Sequence, residues 1–268
     1  MSSFEANKKT AEIDALNLLT FELNTTVRHL VERGAEKIII RNVFGQRYIG
    51  TRLCLERPVE LEVFGTPGND LGAFLNGQRV VVHGNAQDGV GNTMNSGEVV
   101  VHGGAGDILG LSARGGCIFV RDSVGYRAGV HMKGYMDKIP VVVIGGTAQG
   151  FLGEYMAGGT LLLLGLGTRG QPCHEAHFVG AGMHGGTIYI RGQLRKERLS
   201  SDAEIKDLDE FDYGFLDEYV GRYSSHFGVP KNEILDGTSI LKLGPLSKRP
   251  YGALYRYKRE AEQDARSL

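Results

Sequence analysis

Short runs of aliphatic residues recur along the chain, and each follows a glycine-rich phrase. The runs are VVVHG from Val80, VVVHG from Val99, IFVRD from Ile118, VVVIG from Val141, LLLLG from Leu161 and IYIRG from Ile188. Their starts lie 19, 19, 23, 20 and 27 residues apart. Runs of this length, rich in Val and Ile, predict strands rather than helices. A period near 20 residues is typical of a solenoid with one coil per repeat.

Alternation within the runs predicts which side chains face the interior. When the runs are aligned on the residue before the final Gly or Asp, two positions are aliphatic every time. They are Val82, Val101, Val120, Val143, Leu163 and Ile190, and, two residues earlier, Val80, Val99, Ile118, Val141, Leu161 and Ile188. Strand side chains alternate between two faces, so both columns are predicted to point inward. The aligned position points outward and holds His83, His102, Arg121, Ile144, Leu164 and Arg191.

Stacked coils of this kind predict an all-β fold, a right-handed parallel β-helix of about seven to eight coils. A left-handed hexapeptide solenoid would need six-residue spacing within each coil, which the sequence does not have. The chain has 40 glycines, and tight corners between strands account for that density. The structural glycines predicted at these corners are Gly91, Gly97, Gly110, Gly115, Gly116, Gly153, Gly158, Gly159, Gly180, Gly185 and Gly186.

The segments outside the repeats have different patterns. Residues 1–36 are predicted to form an N-terminal cap with an amphipathic helix that presents Leu23, Val27, Leu30 and Val31, is N-capped by Asn24 or Thr25, and ends near Gly34. Residues 37–193 are predicted to be the β-helix, with first coils at 37–43 and 59–64. Residues 194–268 are predicted to be a charged extension with a short helix around 215–227, a strand in SILKLGPL, and a tail whose Tyr and Arg residues suit an interface.

Composition excludes several classes of protein. With 30 basic and 31 acidic residues the net charge is -1, which gives no field favouring nucleic acid or an anionic membrane. No apolar run approaches the roughly 20 residues of a membrane-spanning helix, and the N-terminal residues lack the apolar stretch of a secretory signal. Three widely separated cysteines do not form a disulfide framework. We therefore expect a cytoplasmic protein.

The phrase G-x-x-M-x-G-G, repeated in register, resembles the G-X-G-X-G β-helix domain at the C-terminus of the glutamate synthase large subunit. The resemblance runs over residues 45–192, and its most specific parts are GEYMAGGTLLLLG from Gly153, VGAGMHGGTIYI from Val179 and VGNTMNSGEVVVHG from Val90. One subunit of formylmethanofuran dehydrogenase is similar in the same repeats.

In glutamate synthase the β-helix holds a glutamine amidotransferase domain and an FMN-bearing barrel in place. The resemblance therefore implies a stand-alone structural subunit whose partners are a glutamine amidotransferase-type subunit and an FMN-binding synthase subunit. Residue 2 is Ser rather than the cysteine nucleophile of such a glutaminase. FMN and an iron–sulfur cluster are expected on the partner subunits, and no catalytic residue or cofactor on this chain. The chain is expected to form a homo-oligomer when alone.

Three groups of residues are candidates for chemistry or binding. Cys173, His174 and His177 could bind zinc with a fourth ligand such as His184, although C-H-x-x-H is not a standard spacing and a surface loop is the simpler interpretation. His83, His102 and Arg121 on neighbouring coils could bind an anion. Ile144 and Leu164 continue that column as an apolar stripe, which predicts an interface with another subunit or with the C-terminal segment folded back.

The resemblance implies two functions, and the candidate zinc ligands add a third. The first is a non-catalytic structural subunit of a glutamate synthase-like oxidoreductase. The second is the equivalent subunit of a formylmethanofuran dehydrogenase-type complex. The third is an autonomous hydrolase or metal-binding protein that uses Cys173, His174 and His177.

Overall fold

The computed structural model describes residues 9–51, 53, 57–167 and 174–246. Nine strands stack in parallel and in chain order along one side of a β-solenoid. They are β1 (Thr10–Asp14), β2 (Lys37–Phe44), β3 (Glu60–Thr66), β4 (Asn76–His83), β5 (Ser96–Val101), β6 (Cys117–Val120), β7 (Val141–Ile144), β8 (Ala157–Leu163) and β9 (Gly185–Arg191). The predicted parallel solenoid is confirmed, and its glycine-rich part makes about six turns, slightly fewer than the seven to eight coils predicted.

Both ends of the solenoid carry additional elements. At the N-terminal end, α1 (Thr20–Glu32) follows β1 and buries Leu23, Val27 and Val31 as predicted. After β9 come a short 3-10 turn (Lys196–Arg198), β10 (Ala203–Lys206), α2 (Glu210–Phe227), α3 (Lys231–Ile234) and β11 (Ile240–Pro245). β11 pairs antiparallel with β9, and β10 pairs antiparallel with β11, so the C-terminal extension continues the sheet across the last coil.

The N-terminal segment differs from its prediction in two ways. β1 pairs in parallel with β2, so residues 1–36 contribute a strand to the sheet as well as a helix. The helix begins after Leu19, and not at Asn24 or Thr25. The Glu22 carboxylate accepts a hydrogen bond from the Leu19 N–H at 2.8 Å, and this contact supports the start of the helix. Gly34 follows the helix with φ +95°, as expected of a residue just beyond a helix end.

Aliphatic side chains fill the interior of the solenoid from end to end. Both predicted inward columns lie in this core on β4, β5, β6, β8 and β9. On β7 the prediction is wrong by one residue: Val142 pairs with Ile118 and Ile144 pairs with Val120, so Val142 and Ile144 point inward. Val141 and Val143 point outward. A shift of one residue moves every side chain of a strand to the opposite face.

Six of the predicted structural glycines lie in the connections between strands, and the other five, Gly97, Gly158, Gly159, Gly185 and Gly186, lie within the first three residues of β5, β8 and β9. Two different physical reasons favour glycine at these positions. Positive φ angles, between 67° and 98°, occur at Gly91, Gly97, Gly110, Gly116, Gly153, Gly159, Gly180 and Gly186. The remaining three, Gly115, Gly158 and Gly185, lie against the backbone of the preceding coil; a Cβ on Gly185, for example, would be 2.2 Å from the Ala157 carbonyl oxygen. Left-handed backbone and close approach both favour a residue without a side chain.

Other corner positions have positive φ angles although they carry large side chains, among them Ile108, Phe151, Tyr155 and Phe178. Several of these residues donate their backbone N–H to the next coil, as Ile108 does to the Tyr126 carbonyl at 2.8 Å. Phe151 donates to the His177 carbonyl at 2.7 Å, and Tyr155 donates to the Ala181 carbonyl at 2.7 Å. These coil-to-coil hydrogen bonds offset the cost of the strained conformation.

Candidate functional site

The outward column of the solenoid begins with a row of stacked rings. The Phe64 and His83 rings stack with centroids 4.3 Å apart, and His83 stacks on His102 at 5.3 Å. The row ends at Phe227 of α2, whose ring packs edge-to-face against the His102 ring with centroids 5.2 Å apart. The prediction that His83 and His102 point outward on neighbouring coils is therefore confirmed.

Arg121 and His102 in this column have little free positive charge to offer an anion. Arg121 donates to both carboxylate oxygens of its neighbour Asp122, at 3.1 and 3.0 Å. Burial lowers the pKa of His102, and the nearby His83 and Arg121 lower it further. His102 is therefore mostly uncharged at neutral pH, and Arg121 has a carboxylate partner. Anion binding by His83, His102 and Arg121 stays a prediction that these contacts do not favour.

Helix α2 covers the apolar continuation of the column. Leu216, Val220 and Tyr223 of α2 form a second buried cluster with side chains on the outer face of the strands. The strand residues in this cluster are Val81, Val100, Phe119, Val141, Val143, Leu162, Leu164 and Tyr189. Of the two explanations offered for the apolar stripe, the folding back of the C-terminal segment is confirmed. Leu164 lies in this cluster, fully buried.

Gly145, and not Ile144, occupies the outward position between Arg121 and Leu164. The Arg121 N–H donates to the Val101 carbonyl at 3.0 Å, and the Gly145 N–H donates to the Val120 carbonyl at 2.8 Å. Gly145 therefore has the same position relative to the preceding coil as Arg121. Ile144 is a core residue with no exposed surface, so it cannot contribute to the predicted interface. The run ends in two glycines, Gly145 and Gly146. The sequence alignment used the first of them where the second belongs, and this shifted the predicted register by one residue.

Charged residues form a ladder beside the apolar cluster. Lys37 pairs with Glu60 and Glu62, Arg79 links Glu60 to Glu98, and Arg222 of α2 donates to Glu98 at 2.7 Å. The rungs are on successive strands, so opposite charges alternate from coil to coil. This ladder fixes α2 in register with the solenoid.

Glu98 is the centre of the contact between the ladder and α2. Burial raises the pKa of its carboxyl, but pairing with His226, Arg222 and Arg79 outweighs that effect and lowers the pKa to about 2. Arg222 also donates to the Cys117 thiol at 3.4 Å. Burial raises the pKa of the Cys117 thiol, so Cys117 remains protonated and is a poor nucleophile at neutral pH.

A second polar cluster joins α2 to the end of the sheet. The Tyr189 hydroxyl of β9 donates to the Asp212 carboxylate of α2, and Lys242 of β11 lies 2.6 Å from Asp212. Burial raises the pKa of Asp212, but pairing with Lys242 and Tyr189 outweighs it and holds that pKa below its usual range. Burial and the neighbouring carboxylate raise the pKa of Tyr189. These are the properties of a satisfied structural contact between three elements.

The candidate zinc ligands are held in separate surroundings. Cys173 lies outside the described residues, as do the tail residues Tyr251, Tyr255 and Tyr257. His174 is buried, and its Nε2 is 2.8 Å from the Arg191 carbonyl oxygen. His177 packs among the rings of Tyr126, Phe151 and Phe178.

His184 Nδ1 lies 3.1 Å from the Gly182 carbonyl oxygen. Among the described residues no group of three or more His, Cys, Asp or Glu side chains is arranged to hold a metal ion. None of the helices in the described part of the chain is long and apolar enough to cross a bilayer.

Residues 18–242 match the GXGXG motif family, a range that covers most of the chain and includes strands β2 to β9. The chain belongs to this family. The predicted resemblance to G-X-G-X-G proteins is confirmed. In this GXGXG-family chain the glycine-rich phrases build the corners of the coils, and the aliphatic runs between them supply the stacked strands.

The proteins similar to this chain include two that match nearly its whole length. The uncharacterized protein MJ1350 of Methanocaldococcus jannaschii is 46% identical over 250 residues, which are 91% of this chain and 95% of the relative. A chain of the formyltransferase/hydrolase complex from Methylorubrum extorquens, solved in complex with methylofuran, has a similar fold with a TM-score of 0.55. The likeness covers 88% of this chain and 91% of that chain at 18% identity.

Proposed function

We propose that this chain is a non-catalytic structural subunit of a multi-subunit oxidoreductase, which holds the catalytic subunits in fixed relative positions. The observation that carries the proposal is the similarity in fold, over 88% of this chain, to a chain of a multi-subunit enzyme complex. Support also comes from the packing of the solenoid, in which hydrogen bonds between coils and a continuous core join the coils, and α2 packs across β4 to β9. A rigid body with many outward positions suits the placement of other subunits.

The first candidate for the parent enzyme is a glutamate synthase-like complex in the cytoplasm. The chain would there hold a glutaminase subunit of the glutamine amidotransferase type beside an FMN-binding synthase subunit. FMN and an iron–sulfur cluster would belong to those partners. Membership of the GXGXG family supports this candidate.

The second candidate is a formylmethanofuran dehydrogenase-type complex. It is about as well supported, because the neighbour in fold comes from a formyltransferase/hydrolase complex crystallised with methylofuran. An autonomous hydrolase or metal-binding role gains no support from the described residues, because His174 and His177 lie in different surroundings. A homo-oligomer of the isolated chain is compatible with either complex.

The test is purification of an affinity-tagged chain from its own organism, followed by mass spectrometry of the subunits that accompany it. Amidotransferase-type and FMN-binding subunits identify the first candidate, and molybdopterin or tungstopterin subunits identify the second. Turnover of the complex should fall when the chain is depleted and return when purified chain is added. A chain that purifies alone and itself hydrolyses a substrate would overturn the proposal.

A further inference from the structure

Large hydrophobic side chains are exposed together beside the first coil. They come from the connection between β1 and α1 and from the corner after β2. Leu16 is 62% exposed, Leu19 71%, Phe21 79%, Phe44 91% and Tyr48 48%. We call these five residues the N-terminal patch. Single exposed hydrophobic residues are ordinary, but several large ones on two adjoining segments are typical of an interaction surface.

A buried glutamine joins the two segments of the N-terminal patch. Gln46 is only 9% exposed, and its side-chain amide donates to the carbonyl oxygens of Ala15 and Leu18, each at 3.0 Å. Its amide oxygen accepts from the Phe44 N–H at 2.7 Å. Three hydrogen bonds from one buried side chain therefore hold the two segments against each other.

The start of α1 is joined to the same corner. The Asn24 side chain donates to the Arg47 carbonyl at 2.8 Å, and the Arg47 N–H donates to the Thr20 hydroxyl at 3.2 Å. The N-terminal patch is thus built before any partner arrives. A preformed surface loses little conformational entropy on binding, which favours affinity.

A cavity of about 340 Å³ opens within the N-terminal patch, between α1 and the first corner. Phe21 and Tyr48 line it together with Val27 and Leu53, so most of its wall is apolar. Its volume is at the small end of the roughly 300–1,000 Å³ of ligand pockets. An apolar side chain inserted from outside would be buried there, and such anchors dominate the energy of protein interfaces.

One arginine lines the cavity, and a second directly precedes the lining residue Tyr48 in the chain. The first is Arg28, and the second, Arg47, follows the corner that carries Phe44. Both are exposed, and neither lies within ion-pair distance of a carboxylate in the part of the chain that the structure describes. By contrast Arg41, close by, is paired with Glu12. Guanidinium groups around an apolar centre complement carboxylates around an apolar anchor.

We infer that the N-terminal patch binds an acidic segment of a partner protein, which inserts an apolar side chain into the cavity and places carboxylates against Arg28 and Arg47. The inference rests on the proposed function and assigns a surface to it. A protein segment fits better than a small anion, because Leu16, Leu19 and Phe44 extend the apolar surface well beyond the cavity.

The first experiment compares two exposed phenylalanines in the tagged chain purified from its own organism. Phe21→Glu should reduce the recovery of one partner subunit by at least about tenfold, as expected for loss of a central anchor. Phe211→Glu on α2 is the matched control, since Phe211 is 89% exposed and lies outside the patch. Recovery with Phe21→Glu equal to that of the unchanged chain, with circular dichroism confirming the fold of both, would overturn the inference.

The second experiment tests the charges. The double variant Arg28→Glu/Arg47→Glu should lower the recovery of the same subunit, because like charges would then face each other. Added salt should reduce recovery of the unchanged chain but not of this variant, because it screens an attraction in the first and a repulsion in the second. Arg114→Glu is the control, because Arg114 is exposed and unpaired among the described residues but lies on another corner. Equal losses in the two variants would contradict a charge-specific contact.

The third experiment identifies the occupant by photo-crosslinking from benzoylphenylalanine placed at position 48, with position 213 as the control. The expected product joins position 48 to a partner peptide that contains an apolar residue flanked by Asp or Glu. A basic peptide, a second copy of this chain, or residues 247–268 of the same chain as the crosslinked product would each overturn the inference.

The outcomes separate this inference from the proposed function. Failure of the tagged chain to recover any enzyme subunit would overturn both. Recovery of an oxidoreductase subunit that is unaffected by changes at Phe21, Arg28 and Arg47 would leave the proposed function standing and overturn the N-terminal patch as its binding surface.

Discussion

The hydroxyl of Tyr223 donates a hydrogen bond to the backbone carbonyl of Arg121 at 2.9 Å, across the bare surface of Gly145. A Cβ on Gly145 would lie 1.9 Å from that hydroxyl oxygen. The absence of a side chain at Gly145 therefore leaves the space, called here the Gly145 slot, in which Tyr223 of α2 packs. This single position links the repeat pattern of the solenoid to the placement of a helix about 80 residues further along the chain.

Gly145→Ala should loosen α2 and lower the free energy of unfolding by about 1–3 kcal/mol, since the added methyl group overlaps Tyr223 and the Arg121 carbonyl. Hydrogen exchange of the α2 amides should quicken more than that of the core strands. Gly214→Ala is the control: its Cβ would meet nothing within 4 Å, and it should raise helix stability by about 0.5–1 kcal/mol. If the α2 amides of Gly145→Ala exchange as slowly as those of the unchanged chain, the Gly145 slot does not hold α2 in place.

Gly77 and Gly97, each the second residue of its strand, separate backbone strain from close approach. Gly77 and Gly97 have similar angles, φ +104° and φ +98°, but a Cβ on Gly77 would meet nothing within 4 Å, whereas one on Gly97 would lie 2.3 Å from the Gln78 carbonyl oxygen. Gly77→Ala should cost about 1–2 kcal/mol for the left-handed backbone alone. Gly97→Ala should cost clearly more in urea unfolding. Equal costs would show that coil spacing does not constrain this position.

Acid should weaken the contact between α2 and the solenoid. The pKa of Glu98 is about 2 in the folded chain, below its ordinary value of 4.5. Because the pKa of Glu98 is lower in the folded chain than in the unfolded chain, its ionised form stabilises the fold. This contribution to the free energy of unfolding is present above about pH 4.5 and is lost as the pH falls from about 4.5 towards 2.

Glu98→Gln should therefore lower the free energy of unfolding by about 1–3 kcal/mol at pH 7 and flatten its pH dependence in that acidic window. Thermal unfolding at several pH values measures both effects. Glu36→Gln, at an exposed position, should change neither. A pH profile of Glu98→Gln that matches the unchanged chain would exclude Glu98 as the acid-sensitive group.

The Cys173, His174 and His177 segment should not be a zinc site. Elemental analysis of the purified chain should find well below one zinc per chain, and His177→Ala should leave turnover of the parent complex nearly unchanged. The reason is that His177 packs among aromatic rings while the His174 ring bonds a backbone carbonyl. Stoichiometric zinc that is lost in His177→Ala would reverse this expectation.

The described segments on either side of the repeats were the least predictable parts of the fold, and the N-terminal one contains the surface proposed for binding a partner. β1 has few aliphatic residues and joins the sheet because β2 offers a matching row of backbone groups. The start of α1 was misplaced because Glu22 caps it from within the helix, while Asn24 bonds Arg47 across the corner. The N-terminal patch has no signal in a single sequence, because exposure of Phe21 or Phe44 depends on which neighbours cover them.

The amino-acid sequence alone determined the strands of the six repeats, their period and the inward columns of five of those repeats, because alternation and repeat spacing are local properties of the chain. Only the tertiary structure decided that Gly145 rather than Ile144 faces outward, that α2 covers Leu164, and that Glu98, Arg222 and His226 meet. Those contacts join residues far apart in sequence. Packing between elements selects one register and one partner from those that each strand allows, and a local sequence pattern carries no record of that packing.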